Sequence, residues 1–99
     1  MLENQTFGQA IEALKQGKAV TREVWPGGFF VFMQVPAVIS AEVVPKMQSL
    51  PQSIKDTFAQ RGGSIRYTCQ LAIVNSENLI NGFSPSVSDV LAEDWVIFD

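Results

Sequence analysis

Trp25 follows Arg22 by three residues and leads into Pro26-Gly27-Gly28, with Phe29 and Phe30 just beyond. An indole beside a guanidinium can stack a nucleobase and neutralise a phosphate, and each stacked base is worth on the order of 1–3 kcal/mol. The same indole can also plug the end of a sheet, and the local sequence leaves both roles open. Ser86-Val87-Ser88-Asp89 forms a second set. The free N–H groups and positive dipole end of a helix start suit a phosphate, and Asp89 can accept hydrogen bonds from ribose hydroxyls or a base edge. Ser86 and Asp89 equally satisfy the plainer need to cap that helix. Glu93 and Asp94 are adjacent carboxylates whose side chains diverge in a strand or a loop, so they read as solvated or structural, with Trp95 in the core. Cys69 falls on an alternating apolar face with no cationic neighbour, which predicts an inert buried thiol.

Several chemistries are excluded by residue type. The chain has no histidine and one cysteine, so Ser-His and Cys-His nucleophilic catalysis, a histidine general base and an intrachain disulfide are all ruled out. Structural zinc lacks its ligands, no phosphate-loop motif is present, and no cofactor is expected. Net charge is −3 with seven Lys and Arg scattered from Lys15 to Arg66. No basic stripe exists to release counterions, so DNA or RNA duplex is not an expected partner.

The 99 residues suit a single domain, 1–99, and 46% hydrophobic with 17% charged residues is ordinary globular composition. The apolar runs fall short of the ~20 residues that span a bilayer, and no secretory n-region or h-region opens the chain. A cytoplasmic location follows as the expectation.

Positioning elements are readable along the chain. Thr6 and Gln9 make a T-x-x-Q capping box. Phe7, Ala10, Ile11 and Leu14 then share one helical face, and Gly17 ends a helix over 7–16. A short strand over 18–23, the glycine turn and an apolar strand over 29–35 make a hairpin. Residues 37–63 read as an excursion between two strands, with a strand or loose helix over 37–44 and a helix over 51–60 stopped by Gly62-Gly63. Alternation of Ile65, Tyr67, Cys69, Leu71 and Ile73 predicts one half-buried strand over 64–73. A short strand at 79–80, helical turns over 86–91 with Ser86 as N-cap and Asp89 at N3, and a final strand over 95–98 complete an α+β fold: a small antiparallel sheet, an N-terminal helix and short additional helices.

Ala13-Leu14-Lys15-Gln16-Gly17-Lys18, then Val20-Thr21-Arg22-Glu23-Val24-Trp25 with glycines, then Phe29-Phe30-Val31-Phe32, and finally Ser86, Asp89 and Leu91-Ala92-Glu93-Asp94-Trp95 form a pattern. It resembles the family of small phage and bacterial proteins that contains the second type of Thoeris anti-defence protein. The resemblance covers residues 6–35 and 64–98, and Arg-x-x-Trp and Leu-Ala-Glu-Asp-Trp are its specific parts. It implies a non-enzymatic sponge, a homotetramer with pockets between subunits. Such a protein holds intact the cyclic ADP-ribose isomer made by TIR-domain enzymes, and some relatives also hold cyclic dinucleotides at separate sites. It further implies stacking on Trp25 and Phe29, phosphate contacts from Arg22 and polar contacts from Ser86, Ser88 and Asp89. Phe83 stands where many relatives carry a tryptophan, which weakens one stacking contact.

Two other readings compete. A protein-interaction module that inhibits or scaffolds a host protein would use the Phe29–Phe32 run as an interface. An enzyme acting on a nucleotide would need Asp89 or Glu93 as its base.

Overall fold

Capping decides where the first helix lies. In the computed structural model, which describes Met1–Asp99, the Gln9 N–H donates to the Thr6 hydroxyl at 3.2 Å while the Thr6 N–H donates to the Gln9 side chain at 2.8 Å. Helix α1 (Phe7–Lys15) follows. Its last carbonyls are closed by Gly17 and Lys18, whose N–H groups donate to Leu14 and Ala13, both at 3.0 Å. Gly17 has a φ of 87°, the left-handed turn that a residue without Cβ adopts freely. Ala10, Ala13 and Leu14 are the buried face of α1.

The other elements are β1 (Leu2–Gln5), β2 (Val20–Arg22), β3 (Phe30–Gln34), β4 (Ala37–Ile39), a single 3-10 turn at Val44–Lys46, α2 (Gln52–Gln60), β5 (Ile65–Tyr67), β6 (Gln70–Val74), β7 (Ile80–Gly82), α3 (Val87–Leu91) and β8 (Trp95–Ile97). The chain is α+β, with antiparallel strands and three α-helices. It divides into two compact units, Met1–Gln34 with Gln70–Asp99, and Val35–Cys69.

In the first unit six strands lie in the order β1-β8-β2-β3-β6-β7. β3 and β6 pair over five residues, from Phe30↔Val74 to Gln34↔Gln70. Val20, Val31, Trp95 and Ile97 form the core with Ala10, Ala13 and Leu14 of α1, and Met33, Leu71 and Ile73 pack against it. Ala72 and Val74, one step out of phase with Leu71 and Ile73, are also buried, so β6 is covered on both faces. In the second unit β4 pairs with β5, and α2 ends where the Gly63 N–H donates to the Phe58 carbonyl at 2.8 Å.

Helix 7–16, the β2–β3 hairpin, the excursion, α2 and α3 are found where the sequence predicts them, with shorter ends. Two findings differ. The alternation over 64–73 is not one strand: it breaks at Thr68–Cys69 into β5 and β6, which belong to different sheets. Cys69 falls in that break and is exposed, so the expectation of a buried thiol is corrected. Strand β1 is an addition, a polar Leu-Glu-Asn-Gln edge held to β8 by backbone pairing, with Asn4 at a φ of 57° inside an irregular register.

The glycine turn between β2 and β3 is fixed by close approach. Gly28 has a φ of 87°, and a Cβ there would sit 2.9 Å from the Ser76 Cβ and 3.2 Å from its Cα. Gly28→Ala is therefore expected to cost on the order of 1–3 kcal/mol. Gly27→Ala, where nothing lies within 4 Å, should be near neutral. Thermal melts of the two variants check this, and equal melting temperatures would remove Ser76 as the constraint on the turn.

Candidate functional site

Strands β2 and β8 run antiparallel with Arg22 opposite Trp95, and this pairing brings the two distinctive segments of the chain together. The Arg22 Nε donates to Asp94 Oδ1 at 2.9 Å, and its Nη1 donates to Asp89 Oδ1 at 3.0 Å. A longer contact of 3.5 Å joins Nη1 to the Ser88 hydroxyl. The second Asp89 oxygen accepts the Ser86 N–H at 2.9 Å, and the Asp89 N–H donates to the Ser86 hydroxyl at 3.1 Å. The Trp95 indole N–H donates to the Asp89 carbonyl at 2.9 Å. Asp89 thus caps α3, anchors Arg22 and receives Trp95.

Electrostatics follow from that arrangement. Burial pushes the Asp89 carboxyl up, but the Ser86 N–H and the Arg22 guanidinium outweigh it and hold the group below the ordinary carboxylate value. The hydrogen bond from Arg22 to Asp94, opposed by burial and aided by Asp89, holds the guanidinium above its ordinary value. Asp94 is a structural partner of Arg22, and its other oxygen, Oδ2, is buried with no hydrogen bond.

Above this polar knot sits an aromatic group. Trp25 is half-buried. It meets Phe83 edge-on at 5.7 Å and Trp95 edge-on at 5.3 Å, and Trp95 in turn meets Phe7 at 5.6 Å. Trp95 is fully buried, as a core residue should be. Arg22, Trp25 and Phe29 line one concavity of about 260 Å³, floored by Pro26, Gly27 and Gly28. Phe83, Ser86, Ser88 and Asp89 do not line it; Phe83 meets Trp25 edge-on, Ser88 and Asp89 contact Arg22, and Ser86 contacts Asp89. A larger concavity of about 490 Å³ runs along α1 past Gln9, Glu12 and Gln16, but it has no aromatic ring, and stacking chemistry favours the smaller one.

The coupling of Arg22 to Asp94 has no local signal, because the pair is 72 positions apart; Trp95 and Asp89 are close in sequence, but their bond runs to a backbone carbonyl, which no residue type marks. Only the joint presence of Arg-x-x-Trp and Asp-Trp hints at it. No helix is long and apolar enough to cross a membrane.

Comparison with known proteins bears on the same segments. The Thoeris anti-defense 2-like domain matches residues 5–98. A curated relative named Thoeris anti-defense 2, from Bacillus phage SP01, is 31% identical over 98 residues, which is 98% of each chain. Both matches run through the β2 segment, the glycine turn and the α3–β8 segment, so the chain belongs to the Thoeris anti-defense 2-like family, which supports a role in anti-defence.

Proposed function

We propose that this protein sequesters a cyclic nucleotide immune signal, of the cyclic ADP-ribose isomer class made by TIR-domain enzymes, and releases it uncleaved when it unfolds. The observation that carries this reading is the concavity in which the half-buried Trp25, Phe29 and Arg22 converge. Trp25 and Phe29 offer ring faces to a base. Arg22 is held in place through Nε and Nη1, while its Nη2 makes no hydrogen bond within the chain and remains free to meet a phosphate. Ser86, Ser88 and Asp89 act behind it as supports.

Nanomolar retention needs about −12 kcal/mol, and a space of about 260 Å³ is below the ~300–1,000 Å³ usual for ligand pockets. Walls supplied by a second copy would enlarge that space, and the proposal therefore includes assembly as a homotetramer with sites between subunits. Val87, Val90 and Leu91, exposed at 76%, 45% and 73% on one side of α3, offer apolar surface for such assembly. The same face supports the second reading, capture of a host protein. A pull-down that retains one stoichiometric protein and releases no nucleotide on heating would favour that alternative.

Incubation with the TIR-derived cyclic nucleotide is the direct test. Free ligand should fall in proportion to added protein, and heat denaturation should return it at unchanged mass. Undiminished free ligand sinks the reading, and a changed product mass would make the protein an enzyme.

A further inference from the structure

The chain has three arginines, and they are not used alike. Arg22 is committed to two carboxylates. Arg61 and Arg66 are exposed and take no part in the ion pairs of the chain. Both line a concavity of about 410 Å³ in the Val35–Cys69 unit, together with Leu50, Phe58, Ser64 and Tyr67. No carboxylate lines it. The surrounding segment is also the cationic part of an anionic chain: Lys46, Lys55, Arg61 and Arg66 stand against Glu42 and Asp56 alone, while the whole chain carries −3. Lys55 is already occupied by the Pro45 carbonyl at 3.0 Å, so the free positive charge of the concavity is that of the two arginines.

Two unpaired guanidinia with no counter-charge suit a dianion. Each is a planar fork that matches phosphate oxygens. A terminal phosphate carries about −1.5 to −2 at neutral pH, whereas a diester phosphate carries one charge. Phe58 and Tyr67, both half-buried, also line the concavity, and an aromatic ring is a surface on which a planar group can stack. The volume falls within the ~300–1,000 Å³ range of small-molecule sites.

We propose that Arg61, Arg66, Phe58 and Tyr67 form a second binding site, separate from the Trp25 concavity, for a small linear phosphomonoester that carries a planar ring, of the nucleoside 5′-monophosphate class. The guanidinia hold the terminal phosphate and the rings hold the base. The site does not depend on the sequestration reading, and its failure would leave the signal-depletion assay unaffected.

Isothermal titration calorimetry with adenosine 5′-monophosphate at low ionic strength tests it, with 3′,5′-cyclic AMP as the singly charged comparator. Saturable binding of the monophosphate is expected. The cyclic compound, and the monophosphate with Arg61→Gln or Arg66→Gln, should each bind about tenfold more weakly or worse, the usual loss for one charge-assisted contact. Because both side chains are exposed and unpaired, the variants should melt as the parent does. No saturable heat, equal affinity for the cyclic compound, or undiminished affinity in either variant would each overturn the proposal.

Discussion

Trp95→Ala is expected to destabilise the protein by about 3–5 kcal/mol, the range for removing a buried large aromatic. Trp95 is fully buried, packs on Phe7 and Trp25, and donates its indole N–H to the Asp89 carbonyl. Against the ~5–15 kcal/mol that a domain of this size holds in total, such a loss leaves a marginal fold. At about 4–8 °C per kcal/mol, the melting temperature should fall by well over 10 °C. Trp95→Phe keeps most of the ring volume and removes the donor, leaving the Asp89 carbonyl only the longer bond from the Ala92 N–H at 3.4 Å, so it should cost an intermediate amount, about 1–3 kcal/mol. Trp25→Ala removes a half-buried ring at the edge of the same group and should cost less than Trp95→Ala. Urea denaturation of the three variants orders them. If Trp25→Ala proved as damaging as Trp95→Ala, the division between a core indole and a ligand-facing indole would not stand.

Arg22→Met should carry the other large effect, about 3 kcal/mol, near the lower edge of the range for breaking a buried pair. The side chains of Arg22 and Asp89 are each 12% exposed and that of Asp94 is 25% exposed, so solvent screens part of the loss. Arg22→Lys should recover only a fraction, because an ammonium cannot address both carboxylates with the fixed fork that Nε and Nη1 supply. The triple variant Arg22→Met, Asp89→Asn, Asp94→Asn should be more stable than Arg22→Met alone, since it no longer buries unpaired charge.

The pH dependence has a definite sign. The folded Asp89 carboxyl lies below its ordinary value of 3.8. It therefore contributes stability that is present in full above that value and is lost as pH falls through the lower, folded value. The raised Arg22 guanidinium stays charged at every pH below its own alkaline titration, so its own titration causes no loss below about pH 9. Urea midpoints should hold level from about pH 7 to 5 with respect to this group and fall below about pH 4. The fall should be shallower in Asp89→Asn. An equal acid slope in the parent and the variant would show that Asp89 is not the group responsible.

Local chemistry was the legible layer of this fold. T-x-x-Q before an apolar face, glycine after it, and Ser-x-x-Asp before Val90 each specify a helix end through hydrogen bonds within a few residues, and α1 and α3 start where those signals put them. What failed was inference about partners. Period-two alternation says which side chains share a face but not which strand lies alongside, so it ran unbroken through Thr68–Cys69, where the chain passes from the β4–β5 ribbon into the main sheet. β1 gave no signal because its Glu3-Asn4 centre is polar and its attachment to β8 is made by backbone groups that every residue possesses. At the candidate site, Arg22, Trp25 and Phe29 were legible from their own neighbourhood. Asp94 was legible as structural, but its bond to Arg22 depends on a strand pairing that no spacing encodes.

The position of the excursion has a consequence for how this scaffold can diversify. Gln34 and Gln70 face each other across the last rung of the β3–β6 ladder, so the chain leaves and rejoins the six-stranded sheet across roughly 5 Å. A gap that narrow is one a two-residue turn can close. Anything longer adds only loop-closure entropy, about 0.6 kcal/mol per doubling of length. That rung is a port at which cassettes of different size and charge can be exchanged while the sheet and its Trp95 core are inherited intact.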